Sequence, residues 1–119
     1  MEVLLLGHPK SKTSRKAQRF FSDRRVPVHD RDLRKRAASP RELNRWIQRF
    51  GVDGVLDTSA TTYDEQGLRY LSADPDEWVD RFAADPLLLR LPLVRYGEML
   101  AVGDDPDRWQ EIADASQEE

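Results

Sequence analysis

At 119 residues, with 39% apolar and 34% charged side chains, the chain has the size and balance of one soluble domain and too little length for two. No apolar run approaches the roughly 18 residues of a membrane helix, and the absence of cysteine excludes disulfides, zinc–thiolate sites and thiol catalysis. The net charge of −3 hides an asymmetry: residues 9–49 hold 14 Lys/Arg against 4 Asp/Glu, and the rest of the chain 5 against 18. Such a split reads either as a basic surface for an acidic partner or as two halves that neutralise each other in one globule.

The N-terminus, with acidic Glu2 and only Val3 to Leu6 before Gly7, is not a secretory signal, so a cytoplasmic, cofactor-free protein is the expectation. Val3 to Leu6 reads as a buried strand, broken by Gly7 and Pro9. A basic helix follows, starting at about Thr13 or Ser14 and running to Asp23, with Ala17, Phe20 and Phe21 as its apolar stripe. Val26 to Asp30 is the second strand candidate, limited by Pro27. Arg31 to Ala38 has no apolar period and reads as a basic loop.

Ser39-Pro40-Arg41-Glu42 is a capping box with proline in the first turn. Leu43, Trp46, Ile47 and Phe50 continue that helix until Gly51, and Val52 to Leu56 adds one more turn. Residues 57–62 form a polar loop, and Thr62 to Glu65 reads as a second capping box opening a short helix that Gly67 ends. Asp74-Pro75 starts another helix with Trp78, Val79, Phe82 and Ala83 buried, until Asp85-Pro86 interrupts it. Leu93 to Tyr96 and Met99 to Val102 flank Gly97-Glu98, a two-residue hairpin with glycine where a type II′ turn requires it. Asp105-Pro106 opens a last helix through about Ala115, and residues 116–119 are a frayed tail.

The predicted class is therefore α/β: a mixed four-stranded sheet with a helical insert between strands 2 and 3, in a single domain over residues 1–115. Strand–helix–strand followed by a hairpin is a thioredoxin-like order, and Leu91-Pro92 falls where such folds place a cis-proline. The loop after the first strand is the natural anion site. Free N–H groups and the helix dipole meet Lys10, Lys12 and Arg15 there, so Lys10, Ser11, Lys12, Thr13, Ser14 and Arg15 could hold phosphate, sulfate or a carboxylate without chemistry. Ordinary solvation is the plain alternative. His8 as a base for Ser11 lacks an orienting acid and an oxyanion hole, and His29, Asp30 and Asp32 read as a strand-end surface group, so no metal site is expected.

Ser11-Lys-Thr-Ser14-Arg15-Lys16-Ala17 after a strand resembles the Cys-x-x-Ser/Cys-Arg-Lys-Ala signature of the ArsC/Spx family, the glutaredoxin-linked arsenate reductases and their relatives. Asp85-Pro86-Leu-Leu-Leu-Arg-Leu-Pro92-Leu-Val is similar to the family's Pro-x-Leu-x-x-Arg-Pro-Leu/Val element, and Tyr63 to Leu68 to its post-loop helix. The resemblance runs from about Val3 to Trp109. It implies a thioredoxin-like fold and, in the reductases, a cysteine that attacks arsenate while arginines hold the oxyanion. The position of that cysteine is Ser11, the loop arginine aligns with Asp57, and the arginine before the proline is Leu91, with Arg90 one place earlier and pointing elsewhere if the strand is extended there. A serine cannot cycle through a mixed disulfide. No catalytic residue is therefore assigned, and the expected function is a non-redox binding or regulatory module. The alternative is an arsenate reductase-like or glutathione-linked enzyme with a non-cysteine site.

For partners, Arg34, Lys35 and Arg36, followed by Arg41, Arg45 and Arg49 at four-residue spacing on one helix face, could dock an acidic protein surface. RNA polymerase is the partner that the Spx resemblance suggests, and a small anion or glutathione is the ligand class for the loop. No duplex-reading motif is present, so direct nucleic-acid binding is not expected, nor is membrane binding.

Overall fold

The computed structural model describes residues 2–60, 63, 67 and 74–118. Strand β1 (Val3–Gly7) is central: it pairs in parallel with β2 (Val28–Asp32) and antiparallel with β3 (Leu93–Tyr96). Strand β4 (Met99–Val102) pairs antiparallel with β3, so the four-stranded sheet has the order β2-β1-β3-β4. Helices α1 (Lys12–Asp23), α2 (Pro40–Val55), α3 (Pro75–Ala84) and α4 (Pro106–Gln117) surround it, with a 3₁₀ turn at Pro86–Leu88. This is the thioredoxin-like arrangement with α2 and α3 inserted between β2 and β3.

Alternation along the strands divides the core. Val3, Leu5, Val94 and Ala101 face α1 and α4, where Phe20, Phe21 and Trp109 meet edge-on or tilted with centroids 5.4–6.5 Å apart. Leu6, Leu93 and Leu100 face α2 and α3, against Leu43, Trp46, Val79 and Phe82. The Trp46 indole, fully surrounded, donates its Nε1–H to the Ala101 carbonyl at 3.1 Å, which satisfies the polar atom that its burial would otherwise strand.

Turn chemistry is where residue choice dictates backbone. The Leu91–Pro92 bond is cis, and Gly97 has φ of 60° while Glu98 stays at negative φ, which is the type II′ hairpin. Gly51, at φ 76°, kinks α2 into a long segment and a last turn. The capping box forms as its residues demand: Ser39 Oγ accepts from Glu42 N–H and the Glu42 carboxylate accepts from Ser39 N–H.

Several boundaries differ from expectation. β2 begins at Val28, not Val26, because Pro27 has no N–H for a ladder; its carbonyl instead accepts from Val3 N–H. The same strand runs on to Asp32, so Arg31 is a strand residue and not part of the loop. α1 opens at Lys12, one to two residues early, because Ser11 is the cap. α4 continues past Ala115 to Gln117, whose side-chain amide donates to the Arg24 carbonyl at 2.9 Å. The second capping box rests on Thr62 and Glu65, which lie outside the described residues.

Candidate functional site

The loop between β1 and α1 is built from short side-chain-to-backbone bonds. Ser11 Oγ accepts from Ser14 N–H at 3.1 Å, the N-cap bond, while Ser11 N–H donates to the His8 carbonyl at 2.9 Å. His8 is buried, and its Nδ1 accepts from Lys10 N–H at 3.0 Å, so that nitrogen is committed to the loop and is no base for Ser11. Ser14 is fully buried, with its Oγ facing His8 N–H at 3.4 Å. Gly7 makes room for it: a Cβ there would stand 3.0 Å from Ser14 Oγ and 3.1 Å from a Leu5 methyl.

The six anion-site candidates therefore separate. Lys10, Ser11, Lys12 and Thr13 line one open cleft of about 730 Å³. Ser14 lies behind it in the core, unable to touch a ligand, which corrects its inclusion. Arg15 turns to the other side of the loop, beside Gln18 and Asp30 in a hollow of about 280 Å³. Burial there pushes the Asp30 carboxyl up, against the lowering by the Gln18 hydrogen bond and the His29 charge. Lys12 and Thr13, which line the larger cleft, stand in the first turn of α1, where backbone N–H groups have no intrahelical partner.

Facing that helix start are Asp57, Ser59, Leu91, Asp104 and Arg90. Arg90 corrects the expectation that it points elsewhere. An isolated antiparallel bridge pairs Leu56 with Leu89, with Asp57 N–H on the Leu88 carbonyl and Arg90 N–H on the Val55 carbonyl, both 2.7 Å. Clamped in this way, the Arg90 side chain lies along the cleft and its Nε donates to the Leu56 carbonyl at 3.0 Å. Leu91 fills the place before Pro92 and is buried. Asp57 is held by Ser59 N–H at 3.0 Å and by the Ser59 hydroxyl at 2.5 Å. Lys10, Lys12 and Arg90 thus confront Asp57 and Asp104, leaving an excess of one positive charge in the lining. Asp104 is drawn aside by Lys16 at 2.8 Å, an exposed pair that joins the basic segment to the acidic remainder. Arg90 and Asp104 were legible only through the fold, since neither belongs to the loop.

The basic surface also divides. Arg34 is paired with Asp32, whose carboxyl its guanidinium holds at about 2, so Arg34 is matched and not a free cation. Lys35, Arg36, Arg41, Arg45 and Arg49 are exposed. Arg31, absent from the candidate set, reaches from β2 to Glu42 and the Ala37 carbonyl, and pulls the Glu42 carboxyl down to about 2. Among the described residues no group of His, Asp and Glu is placed to hold a metal ion, and no helix is long and apolar enough to cross a membrane.

This frame is shared with known proteins. The ArsC family model matches residues 6–112. The uncharacterized protein YusI of Bacillus subtilis is 26% identical over 115 residues, spanning 93% of this chain and 98% of its own. An arsenate reductase from Vibrio cholerae superposes with a TM-score of 0.81 at 23% identity, covering 94% of this chain and 98% of that one. An arsenate reductase (ArsC) related protein from Brucella melitensis does so with a TM-score of 0.70 at 20% identity, covering 93% of each. The match to the family model spans nearly every element that builds the Ser11 cleft, and the chain belongs to the ArsC family.

Proposed function

We propose that this protein is a non-redox member of its family that acts by binding and carries out no thiol chemistry. The observation that carries the reading is Ser11. It stands at the loop position where the family signature has its cysteine, and its oxygen is engaged as the α1 cap instead of being poised against a base. An alcohol in that place has neither the acidity nor the disulfide chemistry of a thiol. Asp57 across the cleft adds a negative charge where the reductase pattern has an arginine, and buried Leu91 offers no donor.

What remains is a cationic helix start able to hold a small anion, and an exposed basic face, Lys35, Arg36, Arg41, Arg45 and Arg49, suited to an acidic protein surface. Both uses fit a regulatory module of the cytosol better than a reductase. The test is a coupled arsenate reduction assay with glutathione and glutaredoxin. The expected rate is that of the protein-free blank. Turnover clearly above it, abolished by Ser11→Ala, would falsify the binding-only reading.

A further inference from the structure

A second groove, of about 420 Å³, lies on the other side of Arg90 from the Ser11 cleft, floored by residues 100–102 of β4. Its walls carry Arg49, Phe50, Arg90, Asp105 and Arg108, drawn from α2 just before its Gly51 kink, the segment before Pro92 and the start of α4. We propose that this groove binds a phosphate monoester bearing an aromatic group. The inference goes beyond the thiol-free reading: the groove shares Arg90 with the Ser11 cleft, but Arg49, Phe50 and Arg108 lie outside that cleft.

Charge selects the ligand's head. Three guanidiniums face one lining carboxylate, so the groove has an excess of two positive charges against one in the Ser11 cleft. A phosphate monoester carries about −1.5 to −2 near neutral pH, against −1 for a carboxylate. The donors are also held in advance. Arg90 Nε is fixed on the Leu56 carbonyl at 3.0 Å and Arg108 Nε on the Leu100 carbonyl at 3.1 Å, leaving fork nitrogens for a ligand. Asp105 is occupied as the cap of α4, accepting from Arg108 N–H at 3.2 Å. Glu111 takes one Arg108 nitrogen at 2.6 Å, but that carboxylate is 61% exposed and the pair is of the kind a phosphate displaces.

Phe50 selects the ligand's body. At 38% exposure it is the large apolar side chain left open to solvent among the described residues, with the Arg49 guanidinium 5.9 Å from its ring centroid. An aromatic ring whose phosphate reaches Arg49 and Arg90 would cover that face. Gly54 keeps the ring where it is: a Cβ there would lie 2.8 Å from Phe50 Cβ.

The experiment is a titration with phenyl phosphate at low ionic strength, followed by amide NMR, with inorganic phosphate and benzoate in parallel. Saturable shifts at residues 49–54 and 100–102 are expected, with phenyl phosphate the tightest of the three. Arg49→Ala, an exposed substitution that leaves the Arg90 and Arg108 anchors intact, should weaken binding about tenfold or more. Arg19→Ala, removing the same charge from an exposed site on α1, should change it less than about twofold. Equal binding of benzoate would overturn the dianion argument, and equal binding of inorganic phosphate the role of Phe50. Loss on Lys12→Ala with Arg49→Ala unchanged would move the probe to the Ser11 cleft and overturn the assignment, as would the lack of saturation.

Discussion

Among the described residues two helices begin on a serine, and the two starts behave differently. At Ser39 every local bond is returned: the hydroxyl takes Glu42 N–H, the Glu42 carboxylate takes Ser39 N–H, and Arg31 from the neighbouring strand closes on that carboxylate. At Ser11 the hydroxyl takes Ser14 N–H, but residue three of the turn is a buried serine that faces back into the loop. That third residue returns no carboxylate to the Ser11 N–H, which donates to the His8 carbonyl instead, and Lys12 and Thr13 line an open cleft. The same cap thus serves two ends. With a carboxylate at the third position it locks a helix to a sheet, and with a small neutral residue there it leaves the positive end of the dipole for something else.

Breaking the closed start should have the largest effect. Arg31→Ala removes a side chain that is 10% exposed and leaves Glu42, 28% exposed, without its cation. A cost of about 2–3 kcal/mol in urea unfolding is expected, below the range for fully buried pairs because Glu42 reaches water. The pH dependence has a definite sign. The folded Glu42 carboxyl sits at about 2 against an ordinary 4.5, so its contribution is complete above pH 4.5 and is lost as pH falls towards 2. Glu42→Gln should flatten the stability profile in that window and leave neutral and alkaline pH without a further slope.

Filling the small space behind the open start comes next. Gly7→Ala would bring a methyl to 3.0 Å from Ser14 Oγ, and about 1–3 kcal/mol of destabilisation by urea unfolding is expected. The caps themselves differ less. Ser39→Ala and Ser11→Ala should each cost about 1 kcal/mol. The smallest and most discriminating change is Ser11→Cys. The open helix start, with Lys10 and Lys12 lining the same cleft, should draw the new thiol below its free value of about 8.5, as read by the pH dependence of alkylation. A thiol titrating at or above that value would show that Asp57 and Asp104 cancel the field, and the contrast between the two starts would collapse.

The sequence makes the closed start fully legible, because Ser39, Pro40 and Glu42 are neighbours and the capping box is a local rule. The Gly97 turn was legible for the same reason, and the cis Leu91–Pro92 bond from the thioredoxin-like order of the elements. The Ser11 loop was legible as a place but not as a surface. Its six candidates divide among cleft, core and far side, and which is which depends on how α1 packs on β1. Arg31 looked like one more cation in a basic loop; only β2 pairing beside β1 through Asp32 lays it against Glu42. Arg90 was misjudged because strand alternation was extended backwards from β3, whereas the Leu56–Leu89 bridge sets its direction from a segment 34 residues away.

Arg90 lines both the Ser11 cleft and the groove beside Phe50, and one guanidinium cannot fully serve two anions. Its Nε is tethered to the Leu56 carbonyl, so the same terminal nitrogens stand between the two sides. Whatever occupies one side and draws them there lowers the other side's affinity by some factor, and linkage requires the reverse effect to be equal. With an anion bound on each side, a single side chain would make the two adjoining sites antagonists, filling of the Phe50 groove weakening the Ser11 cleft.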